Sequence, residues 1–237
     1  PASRTAASNR MTRAHAILFD LDGTLLDTAP DMIGALNLLR QEESLEPLPF
    51  ATLRSSVSHG AVRLITVGFP TAQADEFERL RRRFLAIYAE NLAAGTRLFA
   101  GFEQVLADFE AEDLPWGIVT NKPGWLTDPL LEQLGLSGRA CCVVSGDTVN
   151  ERKPHPLPLL HAAAVTGVSP DHCVYVGDAE RDIVAGRAAG MQTVVAAYGY
   201  LAEHDHPETW NADGIIERPE DVMNWLTLRH LDARAAS

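Results

Sequence analysis

Short runs of consecutive apolar residues recur along the chain. In the second half of the chain, these runs are separated by stretches with an apolar residue every three or four positions. Short apolar runs are typical of strands buried on both faces, and the wider spacing is typical of amphipathic helices. We predict strands at 16–19, 116–120, 141–145, 173–177 and 192–197. We predict helices between and after them at 102–110, 126–134, 156–165, 183–189 and 219–228. This alternation indicates parallel crossover connections, so the predicted fold is α/β, with a doubly wound parallel sheet.

The stretch 28–96 has a different pattern. Its first residues, Thr28-Ala29-Pro30-Asp31, are typical of a helix start. Apolar residues at helical spacing predict helices at 31–40 and 74–94, and the segment between them is broken by prolines and favours short helices. We find no strand pattern here, so we predict an all-helical insertion.

These patterns predict two domains and a tail. A catalytic core is formed by 11–27 and 97–237, and the insertion 28–96 forms a helical cap. Residues 1–10 are small and polar without an apolar signal core, so we expect a disordered tail, with Met11 as a plausible original start.

Composition narrows the function classes. The chain is 46% hydrophobic, enough for a core, and its net charge of −12 argues against nucleic acid or an anionic membrane surface as the main partner. No apolar run approaches the roughly 18 residues that cross a bilayer. Cys141, Cys142 and Cys173 lie in apolar runs without metal-ligand spacing, so we expect small buried side chains and a reducing cytoplasm.

The first predicted strand ends in two acids, Asp20 and Asp22, followed by a turn at Gly23. Ligands of open α/β sheets bind beyond the carboxyl ends of the strands. Two close carboxylates repel each other unless a cation or a shared proton separates them, and a hard divalent cation with oxygen ligands suits the pair. The alternative is an acidic turn in which Thr24 acts as a cap.

Polar residues also follow the other strands. Thr120 and Asn121 follow the second strand, and Lys153 lies in a proline-flanked loop after the third. Asp178 and Asp182 follow the fourth at helical spacing. Each group alone is also typical of a capped turn or a surface position, but parallel strand ends meet at one edge of a sheet, which predicts a single site.

In this order, the DLDGT, VTN, KP and GDAERD segments resemble the motifs of the haloacid dehalogenase superfamily, and the position of the cap resembles its phosphoglycolate phosphatase-like branch. The resemblance implies a Rossmann-like core, Mg²⁺ as cofactor and an aspartyl-phosphate intermediate. It implies that Asp20 is the nucleophile and that Asp22 is the general acid and base. It further implies that Asp20, Asp22 (through its carbonyl) and Asp178 bind the metal, with Asp182 and Thr24 in support. Thr120, Asn121 and Lys153 would bind the phosphate.

Two further segments bear on the substrate. The 58–64 segment matches a substrate-facing cap loop of this branch, where His59, Gly60 and Arg63 would contact a substrate carboxylate, or else lie on the surface. The 198–216 segment resembles the N-acetylmuramic acid 6-phosphate phosphatases; the alternative is a loop to an edge strand, with Trp210 as packing.

Three functions remain open from the sequence. The first is a Mg²⁺-dependent phosphatase for a small phosphorylated acid or sugar, such as phosphoglycolate or N-acetylmuramic acid 6-phosphate. The second is a phosphosugar mutase of the same fold, although the Arg-rich cap loop of such mutases is not found. The third is a catalytically silent binding relative, against which the intact acids and lysine argue.

Overall fold

The computed structural model describes residues 15–227, so the predicted tail 1–10 lies outside the described residues. The strands are β1 (Ala16–Phe19), β2 (Leu26–Asp27), β3 (Arg97–Leu98), β4 (Trp116–Val119), β5 (Val143–Val144), β6 (Cys173–Gly177), β7 (Gln192–Ala196) and β8 (Gly214–Ile216). The helices are α1 (Ala29–Glu42), α2 (Phe50–Leu53), α3 (Gly60–Gly68), α4 (Ala74–Glu90), α5 (Phe102–Ala111), α6 (Gly124–Gln133), α7 (Leu157–Thr166) and α8 (Glu180–Ala188). Short 3-10 turns lie at Arg54–His59, Pro170–His172 and Pro207–Thr209, and residues 221–227 are helical.

The central sheet has the strand order β5-β4-β1-β6-β7-β8, and every pairing in it is parallel. Because helices connect the strands and the order runs outward from β1 in both directions, the sheet is doubly wound. The predicted fold class is confirmed. The carboxyl ends of β4, β1 and β6 are adjacent at the centre of one edge, which is where this topology places a ligand.

Both faces of the sheet are buried, as the short apolar runs predict. In β1, Ile17 and Phe19 pack into the cluster that contains α5 and α6, whereas Ala16 and Leu18 face the cluster that contains α7 and α8. Alternate residues of a strand point to opposite faces, so one four-residue strand supplies both cores.

Helices α1 to α4 lie in the chain between two short strands, and residues 28–96 are called the insertion below. Strands β2 and β3 pair antiparallel, with Leu26 opposite Leu98, and so bring the start and the end of the insertion together. The buried carboxylate of Asp31 joins the same two points. It accepts hydrogen bonds from the backbone N–H groups of Gly95 and Thr96 and from the Thr96 hydroxyl, all at 2.7 Å.

Several predicted boundaries differ from the structure. The sequence does not predict the paired strands β2 and β3, because two-residue strands are too short to show a periodic pattern. Strand β5 is shorter than the predicted 141–145, because the chain enters the sheet only at Val143. Cys141 is consequently exposed, against the prediction, whereas Cys142 and Cys173 are buried as predicted. Within residues 15–227, no helix combines the length and the apolar character that crossing a membrane requires.

Candidate active site

The predicted site residues that follow the strands meet at the carboxyl edge of the sheet. Asp20 follows β1, Thr120 follows β4 and Asp178 follows β6, and the chain after β5 delivers Lys153 to the same place. The order of these strands in the sheet makes their ends neighbours. Side chains that are more than 130 positions apart in sequence therefore come into contact.

Lys153 is the buried cation at the centre of this group. Its Nζ lies 2.8 Å from Oδ1 of Asp20 and 2.8 Å from Oδ1 of Asp182. The same ammonium donates to the Val119 carbonyl and to the Tyr175 hydroxyl, at 2.9 and 2.6 Å. Burying an ammonium is costly unless it is paired, and here two carboxylates and two neutral oxygens surround it.

Asp20 is buried beside this lysine. Its Oδ1 also accepts a hydrogen bond from the Leu21 N–H at 2.8 Å, which fixes the carboxylate against the backbone. Burial raises the pKa of Asp20, and the charge of Lys153 opposes that rise. The arrangement holds a buried carboxylate beside the ammonium of Lys153.

Asp20, Asp178 and Asp182 form a buried acid cluster, with one oxygen from each within 4.8 Å of the others. Asp178 Oδ1 is buried and has no hydrogen-bond partner within residues 15–227, and its Oδ2 accepts from the Ser58 hydroxyl and the Tyr200 N–H. Burial, reinforced by the charges of Asp20 and Asp182, raises the pKa of Asp178 to about 7. An unpartnered carboxylate oxygen among three acids fits a hard divalent cation, which prefers oxygen ligands.

The backbone closes tightly around Asp178. Gly23 has a φ of +86°, and a Cβ atom there would lie 2.2 Å from Asp178 Oδ2. A Cβ at Gly199 would lie 2.4 Å from both the Asp178 Cβ and the Gly23 carbonyl oxygen. Glycine is therefore required at both positions for the chain to reach this carboxylate.

Asp182 and Thr24 stand behind these residues. Asp182 Oδ2 accepts a hydrogen bond from the Ala179 N–H at the start of α8, and its Oδ1 pairs with Lys153, so Asp182 holds the lysine in place. Thr24 is buried, and its carbonyl accepts a hydrogen bond from the Tyr198 hydroxyl at 3.1 Å. Its own hydroxyl oxygen has no hydrogen-bond partner in the part of the chain that the structure describes.

Thr120 and Asn121 lie next to Lys153. The Thr120 hydroxyl accepts a hydrogen bond from the Lys122 N–H at 3.1 Å, which stabilises the turn after β4. The Asn121 amide donates to the Lys153 carbonyl at 2.9 Å and accepts from the Lys153 N–H at 3.0 Å. The Asn121 side chain thus holds the backbone of the lysine loop, a role that the sequence did not indicate.

Asp22 has a lysine of its own, which the sequence analysis left without a role. Lys122 Nζ donates to Asp22 Oδ1 at 3.0 Å and to the hydroxyl of Tyr88, on α4, at 2.9 Å. Burial opposes the charge of Lys122, but Asp22 and Tyr88 outweigh it and raise the pKa of the ammonium above its usual value. The sequence did offer one signal: the chain has two lysines, Lys122 and Lys153, and the structure buries both.

Arg181 is a second residue that the sequence analysis missed. Its guanidinium donates to the Ser58 carbonyl at 2.7 Å and lies 4.0 Å from Asp20 Oδ2. Arg54, from the insertion, donates to the Gly199 and Tyr198 carbonyls at 2.8 and 3.3 Å. These contacts, with Ser58–Asp178 and Lys122–Tyr88, hold the insertion against the sheet edge.

A cavity of about 610 Å³ lies between the insertion and the core. Asp22, Thr120, Asn121 and Lys122 line it from the core, and Ser58, His59 and Gly60 line it from the insertion. Burial, with the charge of Arg181, lowers the pKa of His59. Arg63 is exposed and lies outside the residues that line this cavity.

The segment 198–216 contributes to the site as well as to the sheet. Its Gly199 and Tyr200 contact Asp178, and its end forms β8, the edge strand that the alternative interpretation predicts. Trp210 is half-buried and lines a smaller cavity of about 250 Å³ beside Asp178.

The chain is similar to several known proteins. The sequence profile of the haloacid dehalogenase-like hydrolases matches residues 17–196. A phosphoglycolate phosphatase of Xanthomonas campestris pv. campestris (strain 8004) is 48% identical over 207 residues, covering 87% of this chain and 94% of the relative. An N-acetylmuramic acid 6-phosphate phosphatase of Pseudomonas putida is 40% identical over 211 residues, covering 89% of this chain and 95% of the relative.

Solved structures agree as well. The crystal structure of a predicted phosphoglycolate phosphatase from Haemophilus somnus 129PT superposes with a TM-score of 0.81 at 27% identity, covering 91% of this chain and 99% of that one. The resemblance drawn from the motifs is confirmed. The profile match spans more than half of the sequence and the relatives align over nearly their full length, so this chain belongs to the haloacid dehalogenase-like hydrolases.

Proposed function

We propose that this chain is a Mg²⁺-dependent phosphomonoesterase that hydrolyses a small phosphorylated metabolite through an aspartyl-phosphate on Asp20. The observation that carries the proposal is the placement of Asp20, which lies 2.8 Å from Lys153 and within 4.8 Å of Asp178 in a buried cluster. A nucleophilic carboxylate and a phosphate repel each other, so a site for their reaction requires positive charge at this point.

Mg²⁺ would be held by the carboxylates of Asp20 and Asp178 and by the carbonyl of Asp22. When bound, it supplies positive charge that offsets the phosphate and the nucleophile. The free Oδ1 of Asp178 supports this assignment. Asp182 is committed to Lys153 and to the Ala179 N–H, which supports a role in holding the site rather than in direct ligation.

The steps then follow from the residues. Asp20 attacks phosphorus while the bond from phosphorus to the ester oxygen breaks, and Asp22 gives the departing alkoxide a proton. Asp22 then takes a proton from the water that hydrolyses the aspartyl-phosphate, which regenerates both acids. The hydroxyl of Thr120 and the backbone N–H of Asn121 would bind phosphate oxygens, and Lys153 would offset their charge.

The insertion 28–96 would act as the cap over a core formed by 11–27 and 97–237. Ser58, His59 and Gly60 face the cavity from the insertion, which supports a role in enclosing the substrate and excluding water. The proposed contact of Arg63 with a substrate carboxylate receives no such support, since Arg63 lies outside the lining. Arg81, Arg152 and Arg181 are the arginines that line the cavity and would take that role.

The substrate class is a carboxylated phosphate ester. The relatives carry the names phosphoglycolate phosphatase and N-acetylmuramic acid 6-phosphate phosphatase, and both substrates combine a carboxylate with a phosphate ester. A volume of about 610 Å³ is within the range of pockets that enclose drug-sized ligands, and it exceeds what a two-carbon acid fills. We therefore rank a carboxylated sugar phosphate above phosphoglycolate.

The net charge and the cysteines support the proposed cytoplasmic location without a nucleic-acid or membrane partner. A net charge of −12 disfavours nucleic acid and anionic membrane surfaces as partners. Cys141, Cys142 and Cys173 are free thiols, which is consistent with the reducing cytoplasm.

The test is a panel of phosphate esters with Mg²⁺ and the Asp20→Asn variant as control. The unaltered protein should release inorganic phosphate, with kcat/KM highest for N-acetylmuramic acid 6-phosphate. Asp20→Asn should keep its circular dichroism spectrum and lose at least about 10⁴-fold in kcat. Substantial turnover by Asp20→Asn would place the nucleophile elsewhere, isomerisation of a sugar phosphate without phosphate release would favour a mutase, and an inert panel would favour a silent relative.

A further inference from the structure

Lys122 occupies the boundary between the core and the insertion. It follows β4, is 8% exposed, and its ammonium bridges Asp22 of the core and Tyr88 of α4. Lys153, beside Asp20, is the other lysine of the chain, and the remaining positively charged side chains are arginines. Each acid of the pair Asp20 and Asp22 therefore has one of the two lysines as its partner.

The contact with Lys122 fixes one oxygen of the Asp22 carboxylate. Within residues 15–227, Lys122 is the one side chain that donates a hydrogen bond to this carboxylate, and the acceptor is Oδ1 of Asp22. Asp22 also lines the larger cavity, where a substrate would lie. Fixing Oδ1 leaves Oδ2 available to exchange a proton with the leaving oxygen, and a carboxylate must be held in hydrogen-bond reach of that oxygen to do so.

Tyr88 connects this arrangement to the insertion. Its hydroxyl accepts from the same Lys122 ammonium, and its ring packs against Phe84 within α4. When the insertion lies against the core, Lys122 has both acceptors. If the insertion moves away, Tyr88 moves with it, and the ammonium loses one of the two contacts that fix its position.

We propose that Lys122 is a positioning residue that orients the carboxylate of Asp22 for proton transfer, and that Tyr88 completes this arrangement when the insertion is closed. The inference rests on the proposed function, because it assigns Lys122 to the acid and base of that reaction. It predicts that general acid catalysis is at full strength only in the closed arrangement.

Two other roles for Lys122 make different predictions. If Lys122 bound the phosphate, every phosphate ester would depend on it to the same degree. If it bound a substrate carboxylate, only esters that carry a carboxylate would depend on it, chiefly through KM. If Lys122 positions Asp22, the loss of activity without Lys122 depends on the leaving group of the ester. An alkoxide requires a proton as it departs and a nitrophenolate does not, so only alkyl phosphates should depend strongly on Lys122.

The experiment compares kcat/KM for phosphoglycolate, ethyl phosphate and 4-nitrophenyl phosphate in Lys122→Met and Lys122→Arg. We use kcat/KM because it reports the steps up to cleavage of the ester bond and not the later hydrolysis of the aspartyl-phosphate. Lys122→Met should lose about 10²-fold on both alkyl phosphates and less than about fivefold on 4-nitrophenyl phosphate. Asp22→Asn should show the same selective pattern, and Lys122→Arg should recover part of the loss.

Tyr88→Phe provides a second, milder variant that keeps the ring packed against Phe84. It should show a smaller loss with the same selectivity for alkyl phosphates, even where Lys122→Met does not fold. Equal losses on all three esters, or a loss confined to phosphoglycolate, would overturn the inference and leave the proposed function standing. No hydrolysis of any ester by the unaltered protein would overturn both.

Discussion

The Ser58 hydroxyl, from the helical insertion, lies 2.5 Å from Oδ2 of Asp178, a member of the buried acid cluster. The insertion therefore contacts a proposed metal ligand directly. Arg181 also holds Ser58, by donating to its carbonyl at 2.7 Å. Ser58 is thus one of the residues that couple the insertion to the acid cluster.

Ser58→Ala should weaken that coupling. The variant removes one hydrogen bond to a charged group, so we expect kcat/KM to fall about tenfold, equivalent to about 1.4 kcal/mol. The measurement is steady-state kinetics on the best substrate of the panel, with Mg²⁺ titrated. Thr66→Ala is the matched control, since Thr66 has an exposed side chain on α3 whose hydroxyl donates to the Val62 carbonyl. Equal behaviour of the two variants would contradict a role for the Ser58 contact.

Mg²⁺ should stabilise the protein more strongly at high pH. In the metal-free protein the pKa of Asp178 is raised to about 7, against about 3.9 in the unfolded chain. The folded state therefore binds the extra proton, and this contribution to stability is lost as the pH rises from about 4 through about 7. Mg²⁺ requires the ionised carboxylate, so it should replace the lost contribution above that range.

Thermal unfolding at about pH 5 and about pH 8, with EDTA or with excess Mg²⁺, tests this expectation. The metal-free Tm should decrease between the two values, and the increase caused by Mg²⁺ should be larger at the higher pH. Asp178→Asn should have a flatter metal-free profile and a smaller response to Mg²⁺. A Mg²⁺ response that is the same at both pH values would argue against Asp178 as a ligand. Activity should disappear with EDTA and return with Mg²⁺.

Asn121→Ala should release the loop that carries Lys153. The variant removes two hydrogen bonds to the Lys153 backbone, so we expect a loss of about 1–3 kcal/mol in the free energy of unfolding. A misplaced Lys153 should also lower kcat by about 10²-fold. Urea unfolding and steady-state kinetics measure the two effects.

Asn37→Ala is the matched control for that variant. Asn37 makes the same pair of hydrogen bonds to the Leu48 backbone, at 3.0 and 2.9 Å, on the insertion and away from the acid cluster. It should lose comparable stability and keep its kcat. A similar fall in kcat for both variants would mean that Asn121 acts through general stability alone.

Gly23→Ala should inactivate the enzyme through steric conflict. The φ of +86° alone costs an alanine about 1–2 kcal/mol, and the added Cβ would also collide with Asp178. Gly135→Ala separates the two effects, because Gly135 has a φ of +68° with nothing within 4 Å of the added atom. Calorimetry should show a modest loss of stability for Gly135→Ala and a larger one for Gly23→Ala. Kinetic assays should show normal activity for Gly135→Ala and none for Gly23→Ala. Normal turnover by Gly23→Ala would mean that Asp178 need not hold its observed position.

Local sequence pattern predicted the elements that are short, apolar and sharply bounded. Strands β1 and β6 have the predicted limits, because each is a continuous apolar run that ends at a polar residue or a glycine. The pairing of β2 with β3 joins residues about seventy positions apart, and no local pattern encodes it. The meeting of the acids with Lys153 was predictable because the topology of a parallel sheet brings strand ends together.

Contacts that cross between the insertion and the core were not predictable in this way. The role proposed for Lys122 depends on its contact with Tyr88, which lies on a helix whose position depends on the packing of the whole insertion. The same holds for Arg181 and Ser58. Sequence motifs predicted which residues gather at the strand ends, whereas the contacts between the insertion and the core became visible only with the fold.

The Asp31 carboxylate closes the base of the insertion. It accepts hydrogen bonds from the returning chain at Gly95 and Thr96, next in sequence to the paired strands β2 and β3. The chain therefore leaves the core and re-enters it at one place. An engineered helical segment joined there would have to keep an acid in its first turn and Gly-Thr at its end. It would also have to replace the Arg54, Ser58 and Tyr88 contacts with the core to preserve the active site.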